Sequence, residues 1–384
     1  MASNRSKNSD PLLTSAHIHP FKDFYRGKKV LVTGHTGFKG SWLTLWLLQM
    51  GADVAGVSAY LPSNPSNFEV LGLESRIRHH EMDVRDLEHL KQVFDEFQPQ
   101  MVFHLAAQAI VRRSYDEPRL TFDTNIMGTV NVLECVRQQA SLEAAVIITS
   151  DKCYRNSEWV WGYRENDPLG GKDPYSASKG CAEIVIGSYC DSYFKNEKHV
   201  ASTRAGNVIG GGDWAQDRIV PDCVRAWSAG EEVVVRSPMA TRPWQHVLEP
   251  LSGYLWLGVL LRNGELDTGE AFNFGPKNDV IQPVSTLVRA FKNYWDKARW
   301  RTGEQDIGKK ESRFLKLCCD KALSVLDWKA VLSFEKTVEL TAEWYRRFYE
   351  NREDMFEVSL QQIKSYCSMA GERGVKWVRC GSQD

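Results

Sequence analysis

A doubly wound parallel α/β sheet, followed by a smaller C-terminal unit, is the fold class the sequence predicts, and three observations predict it. Short apolar runs that read as buried strands alternate with helical stretches from Lys28 to about Arg204. The first of them, Lys28-Lys29-Val30-Leu31-Val32-Thr33, runs straight into Gly34-His35-Thr36-Gly37-Phe38-Lys39-Gly40 and then into an amphipathic helix, Ser41 to Met50. A later run, Ala144 to Ile148, ends abruptly in Thr149-Ser150-Asp151-Lys152-Cys153-Tyr154. In an open α/β sheet that C-terminal strand edge is where ligands sit.

Taken in order, the glycine stretch comes first. Three glycines spaced by three, between a strand and a helix, let a backbone approach a pyrophosphate at the helix N-terminus, so this loop is the candidate dinucleotide cradle. Asp53 to Val57 is the second strand. It ends in Val57-Ser58-Ala59-Tyr60, with no acid before Glu69 to hold an adenosine ribose and no Arg or Lys before Arg76 to meet a 2′-phosphate. NAD and NADP therefore both stay open, with Ser58 as a ribose contact. Glu81-Met82-Asp83-Val84-Arg85-Asp86 follows a short strand, and Met101 to Gln108 is a buried strand ending in small residues that leave room for a cofactor. Thr124-Asn125-Ile126-Met127-Gly128-Thr129 begins a long helix.

Asp173-Pro174-Tyr175-Ser176-Ala177-Ser178-Lys179 enters another helix. Tyr175 and Lys179 are four apart and share a helix face. A lysine cation beside a phenol favours the phenolate, so Tyr175 is expected to act as a base well below its free pKa. Tyr-x-x-x-Lys is common by chance, and its weight here comes from the strand edge and glycine loop around it.

After Arg204 the texture changes to loops and short elements. Ala205 to Trp214 is loop-like, Asp217 to Asp222 leads into a helix, Val233 to Arg236 is a strand, and Ala271-Phe272-Asn273-Phe274-Gly275 returns to the main sheet. Arginines among loop aromatics, Arg218 and Arg242 here, suit a nucleoside diphosphate. The expected organisation is a flexible tail over 1–24, a nucleotide-binding unit over 25–204, a substrate unit over 205–350 and an extension over 351–384.

Composition narrows the function classes. The chain has 384 residues, 42% hydrophobic and 25% charged, which is ordinary for a globular protein able to bury a large core. A net charge of −1 with no basic stripe argues against nucleic-acid binding. Nine scattered cysteines without a Cys-x-x-Cys pair argue against a disulfide framework or a zinc site and fit a reducing, cytoplasmic setting. No metal is expected. The longest apolar runs, Trp42 to Met50 and Tyr254 to Leu261, are about half the ~20 residues a membrane span needs, so no membrane is expected either.

With these motifs in hand, the chain resembles the CDP-glucose 4,6-dehydratases, a branch of the extended short-chain dehydrogenases with a Rossmann-type sheet, from about Phe24 to Tyr349. The glycine stretch, Thr149 to Tyr154, and Thr241-Arg242-Pro243-Trp244-Gln245-His246-Val247-Leu248-Glu249-Pro250 carry the likeness, and the lysine after Asp151 marks the branch. Ala109-Ile110 departs from an expected Pro-Leu in the cofactor wall.

The resemblance implies an NAD-dependent hydro-lyase acting on a nucleotide sugar. NAD would rest on Gly34, His35, Thr36, Gly37, Phe38, Lys39, Gly40, Ser58, Asp83, Val84, Leu105, Ala106, Ala107, Gln108, Asn125, Tyr175 and Lys179, with the substrate on Asn207, Arg218, Arg242 and His246. Tyr175 would take the C4 hydroxyl proton, helped by Lys179 and Ser150. Asp151 would then serve as acid and Lys152, if buried enough to shed its proton, as base for loss of water across C5 and C6. A homodimer or homotetramer is implied, through helices near Thr121 to Gln138 and Ser176 to Phe194. The alternatives are a dTDP-glucose or GDP-mannose dehydratase, a nucleotide-sugar 4-epimerase, which needs no acid–base pair after the serine, and a non-catalytic dinucleotide sensor, which commonly lacks the Tyr or Lys.

Overall fold

Six short, mostly apolar runs and one polar edge run, Arg78-His79-His80-Glu81, build the central sheet. In the computed structural model, which describes residues 20–195, 197–276, 281–296, 298–303 and 315–378, they are β1 (Lys29–Thr33), β2 (Asp53–Ser58), β3 (Arg78–Glu81), β4 (Met101–His104), β5 (Ala144–Ile148), β6 (His199–Ala205) and β7 (Ala271–Phe274). Their order across the sheet is β7-β6-β5-β4-β1-β2-β3. Every pairing is parallel, with registers such as Val30↔Met101 and Ala271↔Ser202. Central strands are covered on both faces, which is why β1, β4 and β5 read as continuous apolar runs and not as alternation. The winding reverses between β1 and β4, and the carboxyl ends of the strands there open the crevice in which ligands of such sheets bind.

Helices Phe38–Gln49, Leu87–Phe97, Gly128–Gln138 and Pro174–Tyr189 connect and cover the first strands. The helix expected from Thr124 is one rod with a wide turn in it: Pro118–Phe122 leads into a π-type turn, Asp123–Met127, and then into Gly128–Gln138. Beyond β6 the regular alternation stops. Three two-stranded ribbons pair Val208–Ile209 with Gln245–His246, Thr241–Pro243 with Ile281–Pro283, and Glu232–Val235 with Arg299–Thr302. Between the Gln245–His246 strand and β7 lies the buried helix Leu248–Arg262, whose apolar run packs under β5 and β6. No helix among the described residues is long and apolar enough to cross a membrane.

The expected division at Arg204 does not divide the core. One apolar cluster runs from Val30 and Trp42 through Leu255 and Phe274 to Trp344 and Tyr366. The ends of the chain join it as well. Most of the expected loose tail lies outside the described residues, yet Phe21 within it is fully buried, its ring stacked 5.1 Å from Trp377 and its N–H bonded to the Trp377 carbonyl at 2.7 Å. An aromatic residue next to the first strand has too much apolar surface to stay in water when a matching ring lies within reach. The C-terminal helix Met355–Glu372 packs on the helix Phe38–Gln49, which follows the glycine loop.

Candidate active site

Backbone packing shapes the glycine loop. At Gly34 φ is +73°, and a Cβ there would lie 2.6 Å from the Ala106 nitrogen; at Gly40 one would lie 2.1 Å from the Gly34 oxygen. Gly37 is different: its Cβ would meet only the Gly34 oxygen, at 3.2 Å. Gly37 also starts the helix Phe38–Gln49 without any side-chain cap, so the first N–H groups of the helix keep their donors for an anion. Thr36 fixes the neighbouring strand end through Ser58 (Oγ1 to Oγ, 2.6 Å) and the Tyr60 carbonyl, 2.8 Å. His35 is wholly buried between Gly56, Phe68 and His79, and burial pushes its pKa down to about 3, so it is a neutral packing ring.

Further along the crevice, Asp83 accepts from the backbone and guanidinium of Arg85 at 2.9 and 2.8 Å, and Val84 is buried beneath Gly128. Leu105, Ala106 and Ala107 are half-buried at the end of β4, with the Ala106 N–H donating to Thr33 Oγ1 at 3.2 Å. Asn125 sits on the π-type turn and spends its whole amide on structure. Its Oδ1 accepts from the Gln108 N–H at 2.8 Å, and its Nδ2 donates to the Gln108 carbonyl at 3.1 Å and to Ser178 Oγ at 2.8 Å. Asn125 is thus a strut tying the β4 loop to the helix of Tyr175, and the Gln108 side chain is likewise spent on Ile110 and Thr121.

The chemistry-bearing turn follows β5. Ser150 caps the short helical turn Asp151–Cys153, accepting from the Lys152 N–H at 3.2 Å and donating to Asp151 Oδ1 at 3.0 Å. Across from it, Asp173 caps the helix Pro174–Tyr189 and sets Tyr175 in its first turn. Tyr175 is 7% exposed, and the Ser150 hydroxyl faces its phenol. Lys179 lies one turn on, 5% exposed, its Nζ 3.4 Å from the Ile148 carbonyl. Lys152 is half-buried, where the base role asked for burial. Asp151 is buried, and Gly206 makes the room: a Cβ there would fall 1.9 Å from Asp151 Oδ2.

One expectation is overturned here. The Tyr175 phenol is pushed up to about 12, not down, because burial removes the water that would stabilise a phenolate. The Ser150 hydroxyl and the Arg218 charge oppose this, while the Asp151 and Asp173 carboxylates add to it. Burial brings Lys179, one turn away, down to about 8.

Lys39 belongs to this cluster. From the glycine loop its ammonium reaches over the Tyr254 ring, 5.9 Å from the centroid, and burial followed by the Arg218 and Lys179 charges lowers its pKa to about 8, with Asp151 pulling the other way. Sequence reasoning assigned Lys39 to the cofactor loop and missed its reach into the cleft, along with Gly206 and with Asp213, which holds Arg218 at 2.8 Å. A glycine directly after β6 was a readable signal of close approach; Asp213 gave none.

The four residues expected on the substrate separate. Arg218 faces Tyr175 closely enough to lower its pKa. Asn207 adopts φ +46° at a half-buried bend, and Arg242 is half-buried with Nη1 on the Thr241 carbonyl at 2.9 Å. Asp217, between Arg112 and Arg236 at 3.2 Å each, adds two arginines that the sequence did not single out. His246 is a correction. It is fully buried 6.2 Å from Trp42, a neutral core ring with its pKa pushed to about 3 by burial, and it is not a substrate ligand. Its neighbours Trp244 and Gln245 are buried too, bonded to the Gln282, Gly206 and Phe274 carbonyls. No cluster of three or more metal-ligating side chains occurs among the described residues.

Compared with known proteins, the sequence matches the GDP-mannose 4,6 dehydratase family over residues 31–341. It is 46% identical over 354 residues to a CDP-glucose 4,6-dehydratase from Salmonella typhimurium, covering 90% of this chain and 98% of that one. Among solved structures, UDP-glucose 4-epimerase from Thermotoga maritima with UDP-glucose superposes with TM-score 0.73 at 25% identity, over 84% of this chain and 100% of the other. A dTDP-glucose 4,6-dehydratase from Bacillus anthracis, in complex with NAD, shares the fold with TM-score 0.69 at 23% identity, over 84% of this chain and 97% of the other.

Proposed function

The chain belongs to the GDP-mannose 4,6 dehydratase family, and from that premise we propose that it converts CDP-glucose to CDP-4-keto-6-deoxyglucose and water, using NAD. The observation that carries this reading is the turn Ser150-Asp151-Lys152, set at the end of β5 with the Ser150 hydroxyl facing Tyr175. A 4-epimerase needs the tyrosine and the lysine of the helix but has no use for an acid and a base following the serine. The Salmonella relative supports cytidine as the nucleotide; the buried Trp244-Gln245-His246 segment braces the loop and adds nothing to that choice.

The crevice fits a dinucleotide. The uncapped start of the helix Phe38–Gln49 and the open side of Gly37 suit a pyrophosphate, and Ser58 and Asp83 lie along the crevice for ribose and adenine. The chemistry NAD supplies when bound is a reversible two-electron sink, drawing electrons from C4 and returning them at C6. The rest is the work of this chain. Tyr175 accepts the C4 hydroxyl proton as the phenolate, the form that Ser150 and Arg218 favour against its burial. The C4 ketone acidifies C5–H. Lys152 then takes the C5 proton, while Asp151 gives a proton to the departing C6 hydroxyl, and Lys152 returns a proton to C5 as C6 is reduced.

Comparing kcat/KM for CDP-, dTDP-, GDP- and UDP-glucose tests the reading. CDP-glucose is expected to be preferred, and a preference for any other nucleotide sinks it. A homodimer or homotetramer goes with the reading, since Met127, Ile184 and Tyr193 are 47, 61 and 52% exposed on the helices expected to pair. Sedimentation of the purified protein as a monomer would remove that part alone.

A further inference from the structure

Behind the reacting groups lies a buried ion pair that the reaction does not use. The Glu183 and Arg204 side chains are 3 and 4% exposed, and Arg204 Nη2 lies 2.7 Å from Glu183 Oε2. Glu183 sits on the helix Pro174–Tyr189 one turn past Lys179. Its carboxylate accepts from the Thr149 hydroxyl and, at 2.8 Å, from Ser202 Oγ. Arg204, on β6, donates through Nη1 to Tyr154 Oη at 2.7 Å and to the Glu165 carbonyl at 2.9 Å, and Tyr154 donates on to Asn273 Oδ1 of β7 at 2.8 Å. Thr149 is the residue before Ser150, and Tyr154 is the residue after the turn Asp151–Cys153. One pair therefore grips both ends of the segment that carries the proposed serine, acid and base, and the anchor at one end is also the neighbour of Lys179.

We propose that Glu183 and Arg204 are positioning residues, holding the segment 150–153 in register with the helix of Tyr175 and Lys179, Glu183 through Thr149 and Arg204 through Tyr154. This rests on the function proposed above for those groups, but the geometry has a consequence that can be read without any substrate. Lys179 faces Glu183 and Tyr175 on its own helix, Cys153 on the turn, Lys39 from the glycine-loop helix and His104 at the end of β4. Burial lowers its pKa to about 8, and Glu183 is the largest influence acting to raise it. An uncharged side chain of the same shape at 183 keeps the contacts to Thr149 and Ser202 and loses that influence.

The test titrates Lys179 in cofactor-free protein, by competitive acetylation at a series of pH values with mass spectrometry of the Lys179 peptide. In Glu183→Gln the Lys179 titration is expected to move to lower pH by about one unit. In Arg204→Met, which keeps the anion and frees Tyr154, it is expected to stay in place. With substrate, Arg204→Met is expected to lose about 10²-fold in kcat with little change in KM, because freeing Tyr154 misplaces the turn and leaves the binding groups in place, and Glu183→Gln, which keeps the Thr149 contact, is expected to lose less. Glu183→Gln leaves Arg204 buried without its counter-ion, so the double variant Glu183→Gln/Arg204→Met carries the same measurement with both charges gone. An unmoved Lys179 titration in the folded Glu183→Gln or double variant overturns the proposal. So does the loss of folding in both, which would make the pair a requirement of the core. If the native protein fails to turn over CDP-glucose, the functional reading falls while the Lys179 titration still reports on Glu183.

Discussion

Two buried sets of ionisable groups in this protein are satisfied to very different degrees. In the cleft, Lys39, Tyr175 and Lys179 are all driven toward their neutral forms by burial, and the only hydrogen bond described for Lys179 Nζ is a 3.4 Å approach to one carbonyl. Below the sheet, Glu249 on the helix Leu248–Arg262 is just as buried, but its carboxylate collects the N–H groups of Val331 and Leu332 and the Tyr366 hydroxyl, at 2.5 to 3.0 Å. That node joins the helix to the loop ahead of Phe334–Arg346 and to the C-terminal helix. The contrast separates groups held ready for a ligand from groups consumed by the fold: an unsaturated buried charge is costly unless something binding there repays it.

The comparison breaks most severely at Tyr175. Tyr175→Phe removes one oxygen from the cleft set, and turnover is expected to fall by about 10⁴-fold while the thermal midpoint stays close to that of the native protein. A variant that keeps most of its activity would take Tyr175 out of the reaction and make its burial a packing fact like that of His246.

A smaller effect, about 10²-fold on turnover, is expected for Lys152→Ala, and where the reaction stops matters more than how far it slows. With the base gone, C4 is still oxidised but C5–H is kept. Single-turnover absorbance should then show reduced nicotinamide building up, and solvent deuterium should not enter C5. Normal deuterium exchange in the variant would leave Lys152 as a charge partner of Asp151 or of the diphosphate only.

The same contrast marks what could be read from the sequence. Regular alternation from Lys28 to Arg204 made the sheet legible, because a parallel strand buried on both faces must be an unbroken apolar run. The glycine loop and the 149–154 turn were legible because their residue types have few other uses side by side. The Tyr175 pKa was not legible: a Tyr–Lys spacing on a helix says that two groups share a face, but the sign of the shift was set by burial, with the Asp151 carboxylate from the turn after β5 adding to it. His246 failed for the opposite reason. A histidine in a motif looks functional, yet the ribbon it forms with Ile209 turns it into the core against Trp42. Glu249 gave no hint at all, since nothing in an apolar helix says which distant backbone will come to meet its single acid.

The smallest expected effect tests the satisfied side of the comparison. Burial raises Glu249 from 4.5 to about 7, opposed by its bonds to Leu332, Val331 and Tyr366. The folded state therefore keeps a proton that the unfolded chain gives up. Its contribution to stability is full below about pH 4.5, declines as pH rises toward about 7 and is flat above that, a span worth about 3 kcal/mol at most. His35, His104 and His246 act with the opposite sign. Burial lowers each from 6.5 to about 3, so their contribution is present above pH 6.5 and is lost as pH falls. The two effects overlap between pH 4.5 and 6.5, and the stability of the native protein alone cannot separate them. Glu249→Gln can. The glutamine oxygen still accepts from the two backbone N–H groups, and its amide faces Tyr366, whose hydroxyl can turn its proton to Ser252 Oγ, 3.1 Å away. Denaturant midpoints measured across this range should then rise more steeply with pH in Glu249→Gln than in the native protein, the gap between the two curves closing from the alkaline side, with kcat unchanged at neutral pH. Parallel curves would mean that Glu249 stays ionised in the fold, its three donors outweighing its burial, and a fall in kcat would mean that the node reaches the cleft after all.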